Sequence, residues 1–161
     1  MIRLDRFRAK SFFNTGEYEK ALILYEKVVK VSKTSRDRMS LARIYLKAGR
    51  FDDAEAQLRK LNLADLNAVE GIQAKISLAQ TIWRKGDLKD AIRRVELIFQ
   101  TEKITLVYAT LGYLYIVAGD KKALDFNQEA YAYNPANAEI GDNLGECLLA
   151  TKDYALSLIH I

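Results

Sequence analysis

The sequence predicts an all-α fold, a solenoid of repeated helix–turn–helix units, from three observations. A single proline in 161 residues, with abundant Ala, Leu, Lys and Glu, favours helices over a β-sheet. Apolar residues recur at spacings of three and four, which places their side chains on one helical face. Glycines recur at intervals of 33, 37 and 33 residues, a period typical of stacked helix pairs.

Each of these glycines lies between two apolar helical patterns and is followed within a few residues by alanine. The four segments are 16–21, 49–54, 86–91 and 119–123. A glycine can end the first helix in the left-handed conformation without a Cβ clash, and Asp87 and Asp120 are suited to cap the next helix. The small alanine lets the two helices of a pair approach closely. Neighbouring pairs must then stack to cover the remaining apolar faces.

The spacing of these residues resembles the tetratricopeptide repeat, a helical pair of about 34 residues. The best-matching repeat is the fourth, at Tyr108, Leu111, Gly112, Tyr115, Gly119, Ala123, Phe126, Ala130 and Pro135. The resemblance implies a right-handed α-solenoid that forms one domain over residues 1–155. Its repeats are expected at about 2–34, 35–68, 72–104 and 105–137, with a partial repeat at about 138–155.

Residues 156–161 depart from this pattern, because Ser157 stands where the repeat has alanine. The closing hexapeptide is also similar to what a transposon end used in sequencing libraries encodes. We therefore expect these residues to be a non-native tail that follows a truncated reading frame. A fifth repeat without its second helix would leave Leu144 and Leu148 poorly covered, which predicts self-association through the open C-terminal end.

The residue types that catalysis needs are missing or isolated in this sequence. The only histidine, His160, lies in the suspect tail and leaves no base for a Ser-His-Asp or Cys-His site. There is no glycine-rich phosphate loop, and no His, Cys, Asp and Glu set has metal-ligand spacing. The only cysteine, Cys147, lies on an apolar helical face and is expected in the core. The sequence therefore predicts no enzymatic activity, no cofactor and no metal.

In the family that the sequence resembles, the first helix of each pair lines a concave groove at fixed repeat positions. Those positions give a predicted partner groove of Arg3, Arg6, Lys10, Arg36, Arg43, Gln80, Trp83, Tyr113 and Glu146. Residues 1–60 hold 15 Lys and Arg against 8 Asp and Glu, and residues 61–161 hold 10 against 13. The groove would therefore run from basic to acidic. We predict a scaffold or adaptor that binds a protein or peptide segment with an acidic end near Arg6 and Arg43.

One subclass of this family holds a C-terminal carboxylate, but its pattern is absent here. Lys10 and Ser40 stand at its asparagine positions, and Gln73 and Ser77 stand at its third-repeat cations. Chaperone-tail binding of that kind is therefore not expected. A simpler interpretation of the groove also stays open, because exposed Lys and Arg commonly do no more than solvate a helix, and Trp83 can pack as a core residue.

Two other functional classes stay open from the sequence alone. Nucleic-acid binding through the basic N-terminal half is disfavoured, because neither base-stacking aromatics nor an RNA-reading repeat code is evident. The other class is the soluble part of a membrane-anchored assembly factor, with an anchor upstream of the basic helix at residues 3–10. The longest uncharged stretch, residues 104–119, has 16 residues against the roughly 20 that cross a bilayer. Since no signal peptide opens the sequence, we expect a cytoplasmic location unless an anchor precedes Met1.

Overall fold

The computed structural model of the chain describes residues 2–150, which form nine α-helices, one short 3₁₀ turn and no strand. The helices are α1 Ile2–Asn14, α2 Tyr18–Ser32, α3 Ser35–Lys47, α4 Phe51–Arg59, α5 Ala68–Arg84, α6 Leu88–Phe99, α7 Thr105–Ala118, α8 Ala123–Tyr133 and α9 Ala138–Ala150. The predicted all-α repeat fold is confirmed. The predicted non-native tail at 156–161 lies outside the described residues, and the single domain over 1–155 stays a prediction.

The chain divides into two compact units, each with its own sequence of packed helices. Unit 1 extends to Gly86 and contains α1–α5, and unit 2 starts at Asp87 and contains α6–α9. In unit 1 each helix packs on the next along the chain, and α3 also contacts α5. The core of unit 1 is formed by buried residues of α2, α3 and α4: Ala21, Leu22, Val29, Leu41, Ile44, Tyr45 and Ala54.

The helices of unit 2 are also packed in chain order, and α9 returns to pack beside α7 as well as α8. Three aromatic rings pack against one another in this unit. The ring centroid of Phe99 lies 4.9 Å from that of Tyr108 and 5.2 Å from that of Phe126. Cys147 is buried as predicted, and this burial raises the pKa of its thiol. The expectation that Leu144 and Leu148 would be poorly covered is wrong, because both side chains are buried in the same helix.

The turns between paired helices follow the glycine period. Gly16, Gly49, Gly86 and Gly119 all have positive φ, as the sequence predicts for glycines that end a helix in the left-handed conformation. At Gly119, the next amide, from Asp120, donates to the Tyr115 carbonyl at 3.0 Å, which is the closing bond of a Schellman motif.

The two predicted N-cap aspartates differ in the structure. Asp87 caps α6, and its side chain accepts from the amide of Asp90 at 2.9 Å. Asp120 does not cap α8, because residues 120–122 first form a turn and the helix begins only at Ala123. The Asp120 carboxylate accepts from the amide of Lys122 within that turn.

Lys33, which ends α2, is the one non-glycine residue with positive φ among the described residues, at 53°. A Cβ in this conformation costs about 1 kcal/mol relative to glycine. We expect Lys33→Gly to raise the free energy of unfolding by about that amount. Urea denaturation followed by far-UV circular dichroism measures it. The control is Lys30→Gly, three residues earlier within the helix, which should lower stability by a similar amount.

Candidate functional site

The predicted groove residues are divided between the two units. Seven of them lie on α1, α3 and α5 of unit 1: Arg3, Arg6, Lys10, Arg36, Arg43, Gln80 and Trp83. The other two, Tyr113 on α7 and Glu146 on α9, belong to unit 2. Their action as one continuous groove stays a prediction, so each unit is considered by itself.

Arg6 is bound within the protein, by the carboxylate of Asp37. Its Nε and Nη2 donate to the two carboxylate oxygens at 2.9 and 2.6 Å, which joins α1 to the first turn of α3. The Asp37 side chain is only 8% exposed, and the Thr34 hydroxyl donates to it at 2.8 Å. Burial by itself would raise the pKa of Asp37, but the hydrogen bonds from Arg6 and Thr34 outweigh it and lower the pKa.

Arg36 forms a second pair of the same kind one repeat later. Its Nε and Nη2 lie 2.7 and 3.3 Å from the carboxylate oxygens of Glu70, which joins α3 to the start of α5. Glu70 also completes a capping box with Asn67 at the first turn of α5. The separations from Arg6 to Asp37 and from Arg36 to Glu70 are 31 and 34 residues, close to the repeat period. That spacing is the sequence signal from which both pairs could have been found.

Lys10 and Arg43 lie at a small pocket between α1, α2 and α3. The pocket has a volume of about 260 Å³ and is lined by Lys10, Phe13, Tyr25, Ser40, Arg43 and Ile44. Neither cation has a carboxylate partner among residues 2–150. The Arg43 guanidinium lies 4.8 Å from the centroid of the Phe13 ring, a cation–π contact that orients it. The structure therefore brings two of the predicted groove residues together beside an apolar wall.

The remaining predicted groove residues are Arg3, Gln80, Trp83, Tyr113 and Glu146, and they differ in exposure. Arg3 and Glu146 are exposed, Gln80 is half-buried, and Tyr113 as a residue is 40% exposed. Trp83 is partly covered by the Arg84 guanidinium, which lies 4.5 Å from its ring centroid. Both the groove role and the packing role of Trp83 therefore stay predictions.

A tyrosine–glutamate hydrogen bond with the same residue spacing is found in both units, and the sequence reasoning missed it. The hydroxyls of Tyr45 and Tyr115 each donate to a glutamate 19 residues earlier, Glu26 and Glu96, at 2.7 Å. Burial, and then the glutamate, raises the pKa of both tyrosines. Each tyrosine lies four residues before a turn glycine, so a glutamate at this offset would have indicated the pair. Such pairs tie the second helix of one repeat to the first helix of the next.

The described residues also bear on membrane and metal sites. No helix in residues 2–150 is both long enough and apolar enough to span a membrane. In the same part of the chain, no group of three or more His, Cys, Asp and Glu side chains is placed to hold a metal ion.

Comparison with known proteins identifies the repeats. Residues 12–76 match the family model of the tetratricopeptide repeat, and no curated protein matches the sequence significantly. A thermophilic tetratricopeptide repeat protein of Thermus thermophilus is 20% identical, with a TM-score of 0.79 over 99% of this chain and 88% of that chain. A tetratricopeptide repeat protein of Parabacteroides merdae is 16% identical, with a TM-score of 0.85 over 99% of this chain and 62% of that chain.

A third similar structure is that of MamA, which is 18% identical, with a TM-score of 0.65 over 94% of this chain and 89% of that chain. At these identities the solved structures show the fold alone. The family match adds the sequence pattern over about two repeats of unit 1. The chain therefore carries tetratricopeptide repeats at residues 12–76 and has the all-α fold of tetratricopeptide repeat proteins.

Proposed function

We propose that the chain is a protein-binding scaffold or adaptor that holds an acidic segment of its partner at the Lys10–Arg43 pocket. The tetratricopeptide repeat fold commonly mediates protein–protein interaction, which supports the general role. The pocket supports the more specific proposal that the partner segment is acidic. Its two cations have no carboxylate partner among the described residues, whereas the neighbouring Arg6 and Arg36 are both neutralised.

The shape and chemistry of the pocket favour a carboxylate on an extended segment. A volume of about 260 Å³ is that of one or two side chains rather than of a drug-sized ligand. Because the Phe13 ring covers one face of the Arg43 guanidinium, the N–H edge of Arg43 is the part left for a bidentate contact. The Lys10 ammonium supplies a second charge, and the apolar wall limits competition from water.

The proposal is tested with a fluorescent oligoglutamate peptide, whose binding is followed by anisotropy. We expect the Lys10→Glu/Arg43→Glu variant to bind the peptide at least about tenfold more weakly than the wild type. The matched control is Lys27→Glu/Lys47→Glu, which makes the same change of net charge at two exposed lysines outside the pocket. Equal losses in the two variants would mean that only the overall charge matters and would contradict the pocket.

Two further probes separate the sources of the acidic group. If a C-terminal carboxylate is the ligand, amidation of the peptide weakens binding, and if side chains are the ligand it does not. A single-stranded RNA probe tests the nucleic-acid alternative. Preferential binding of RNA with a steep dependence on salt would contradict the proposed partner class.

The proposed role includes self-association, because several linked copies would present several pockets to one partner. We place this role in the cytoplasm, or on the cytoplasmic side of a membrane if an anchor precedes the repeats.

A further inference from the structure

The outward face of α1 exposes two large apolar side chains. Leu4 is 58% exposed and Phe7 is 72% exposed, and their spacing of three residues places them side by side on the helix. Arg3 and Arg8 flank them, and neither forms an ion pair within residues 2–150. Lys10, which lines the pocket, follows Phe7 by three residues and Arg3 by seven, so it lies at the edge of this surface. These four residues, Arg3, Leu4, Phe7 and Arg8, form the α1 patch, an apolar pair framed by two guanidinium groups.

Helix α7 of unit 2 contains no charged residue in its 14 positions. A helix that is apolar all round is normally covered on every side. On α7, however, Tyr113 is 40% exposed and Val117 is 41% exposed, one helical turn apart. The helix therefore has an apolar stripe that no described residue covers fully.

The neighbouring helix α9 adds carboxylates to this surface. It packs beside α7, and Asn143 donates to the Ala109 carbonyl at 2.9 Å. Its exposed positions follow one helical face: Glu139, Asp142, Glu146 and Leu149. No ion pair involves these carboxylates among the described residues. The apolar stripe of α7 and the acidic face of α9 together form the unit 2 surface.

We propose that the α1 patch of one copy binds the unit 2 surface of a second copy. The two surfaces are complementary, because Leu4 and Phe7 can cover Tyr113 and Val117 while the guanidinium groups meet the carboxylates of α9. Apolar residues supply the buried centre of such a contact, and the charges at its rim fix orientation and partner choice. This inference rests on the self-association included in the proposed function.

The contact uses the α1 patch of one copy and the unit 2 surface of the other, so the first copy keeps its unit 2 surface, and the second its α1 patch, available to a further copy. Association of this kind is heterologous, and it adds copies head to tail unless the ring closes.

Sedimentation velocity of the full chain, from roughly 1 to 100 µM, tests the contact. We expect the weight-average mass to rise with concentration and to fall when salt is added. Phe7→Glu should weaken association at least about tenfold, because it puts a charge at the apolar centre and changes nothing buried in the monomer. The matched control is Val31→Glu on α2, which alters a side chain 66% exposed outside the patch and should associate like the wild type.

A charge-exchange pair identifies both surfaces at once. Arg3→Glu/Arg8→Glu and Asp142→Lys/Glu146→Lys should each associate poorly alone, and a mixture of the two should associate again, because each basic surface then meets an acidic one. The Arg43→Glu variant should weaken peptide binding but keep self-association, because Arg43 lies on α3 outside the α1 patch, and this separates the inference from the pocket. A wild type that stays monomeric at all concentrations, or variants that associate like the wild type, would overturn the proposed contact.

Discussion

Gly112→Ala is expected to lower the free energy of unfolding by about 3 kcal/mol. A Cβ at this position of α7 would overlap Oδ1 of Asn127 and lie 3.0 Å from its Cγ. The Asn127 side chain cannot move aside easily, because it is completely buried and donates to the carbonyls of Ala123 at 2.8 Å and Gly112 at 3.3 Å. The better helix propensity of alanine offsets only about 1 kcal/mol of this cost.

A second substitution tests whether the contact with Asn127 causes this loss of stability. Asn127→Ala removes the atoms that the new Cβ would meet, so the Gly112→Ala/Asn127→Ala double variant should recover much of the lost stability. We expect a favourable coupling of at least about 1 kcal/mol in this double-mutant cycle. Gly71→Ala is the matched control. That glycine also lies in a helix, but a Cβ there would meet nothing within 4 Å, so the substitution should stabilise by up to about 1 kcal/mol.

Urea denaturation followed by far-UV circular dichroism measures all four variants. If Gly112→Ala proves as stable as the wild type, the helices of unit 2 adjust to the extra carbon and the close approach of α7 and α8 is not a constraint. If Gly112→Ala is destabilised and Asn127→Ala gives no recovery, the loss comes from the backbone of α7 rather than from this contact.

The order of helices and turns could be predicted because it depends on local chemistry that repeats. Four glycines in register mark four turns, and each has the positive φ that allows the chain to reverse without a Cβ clash. Asp120 shows that the exact first residue of a helix could not be predicted in this way. A helix start depends on which turn forms first, and one residue fewer between Gly119 and Ala123 moves the cap to Lys122.

The candidate site could be predicted in its residue types but not in its pairings. Arg6 and Lys10 occupy equivalent-looking positions on one face of α1, and the sequence reasoning assigned both to a partner groove. In the structure Arg6 has a carboxylate one repeat away, and Lys10 has none within residues 2–150. Charge pairing between successive first helices is a tertiary contact, so it becomes visible only when the repeats are stacked. The stacking of Arg43 on Phe13 likewise depends on rotamers that a periodic pattern does not specify.

Asp37→Asn is the second substitution with a large expected effect, a loss of about 2–3 kcal/mol from the free energy of unfolding. The change replaces the two charged acceptor oxygens of Asp37 with one uncharged amide oxygen and one NH₂ group. The NH₂ group then faces the Arg6 guanidinium, so two donors meet where a donor met an acceptor. The cost stays below that of a fully buried pair because the Arg6 side chain is 39% exposed and can turn to water. Fluorescence of Trp83, the only tryptophan, reports the unfolding of unit 1.

The pH dependence of this loss shows whether the pair is responsible. Because folding lowers the pKa of Asp37, the carboxylate contributes stability above its unfolded pKa of about 4, and the contribution is lost as the pH falls through the lower folded value. The difference between wild type and Asp37→Asn should therefore be largest near neutral pH and shrink in acid. Glu70→Gln is the control, since it alters an acceptor of the more exposed Arg36 and should cost less. A difference that does not change from neutral to acidic pH would assign the loss to the packing of α3 rather than to the Arg6–Asp37 charge pair.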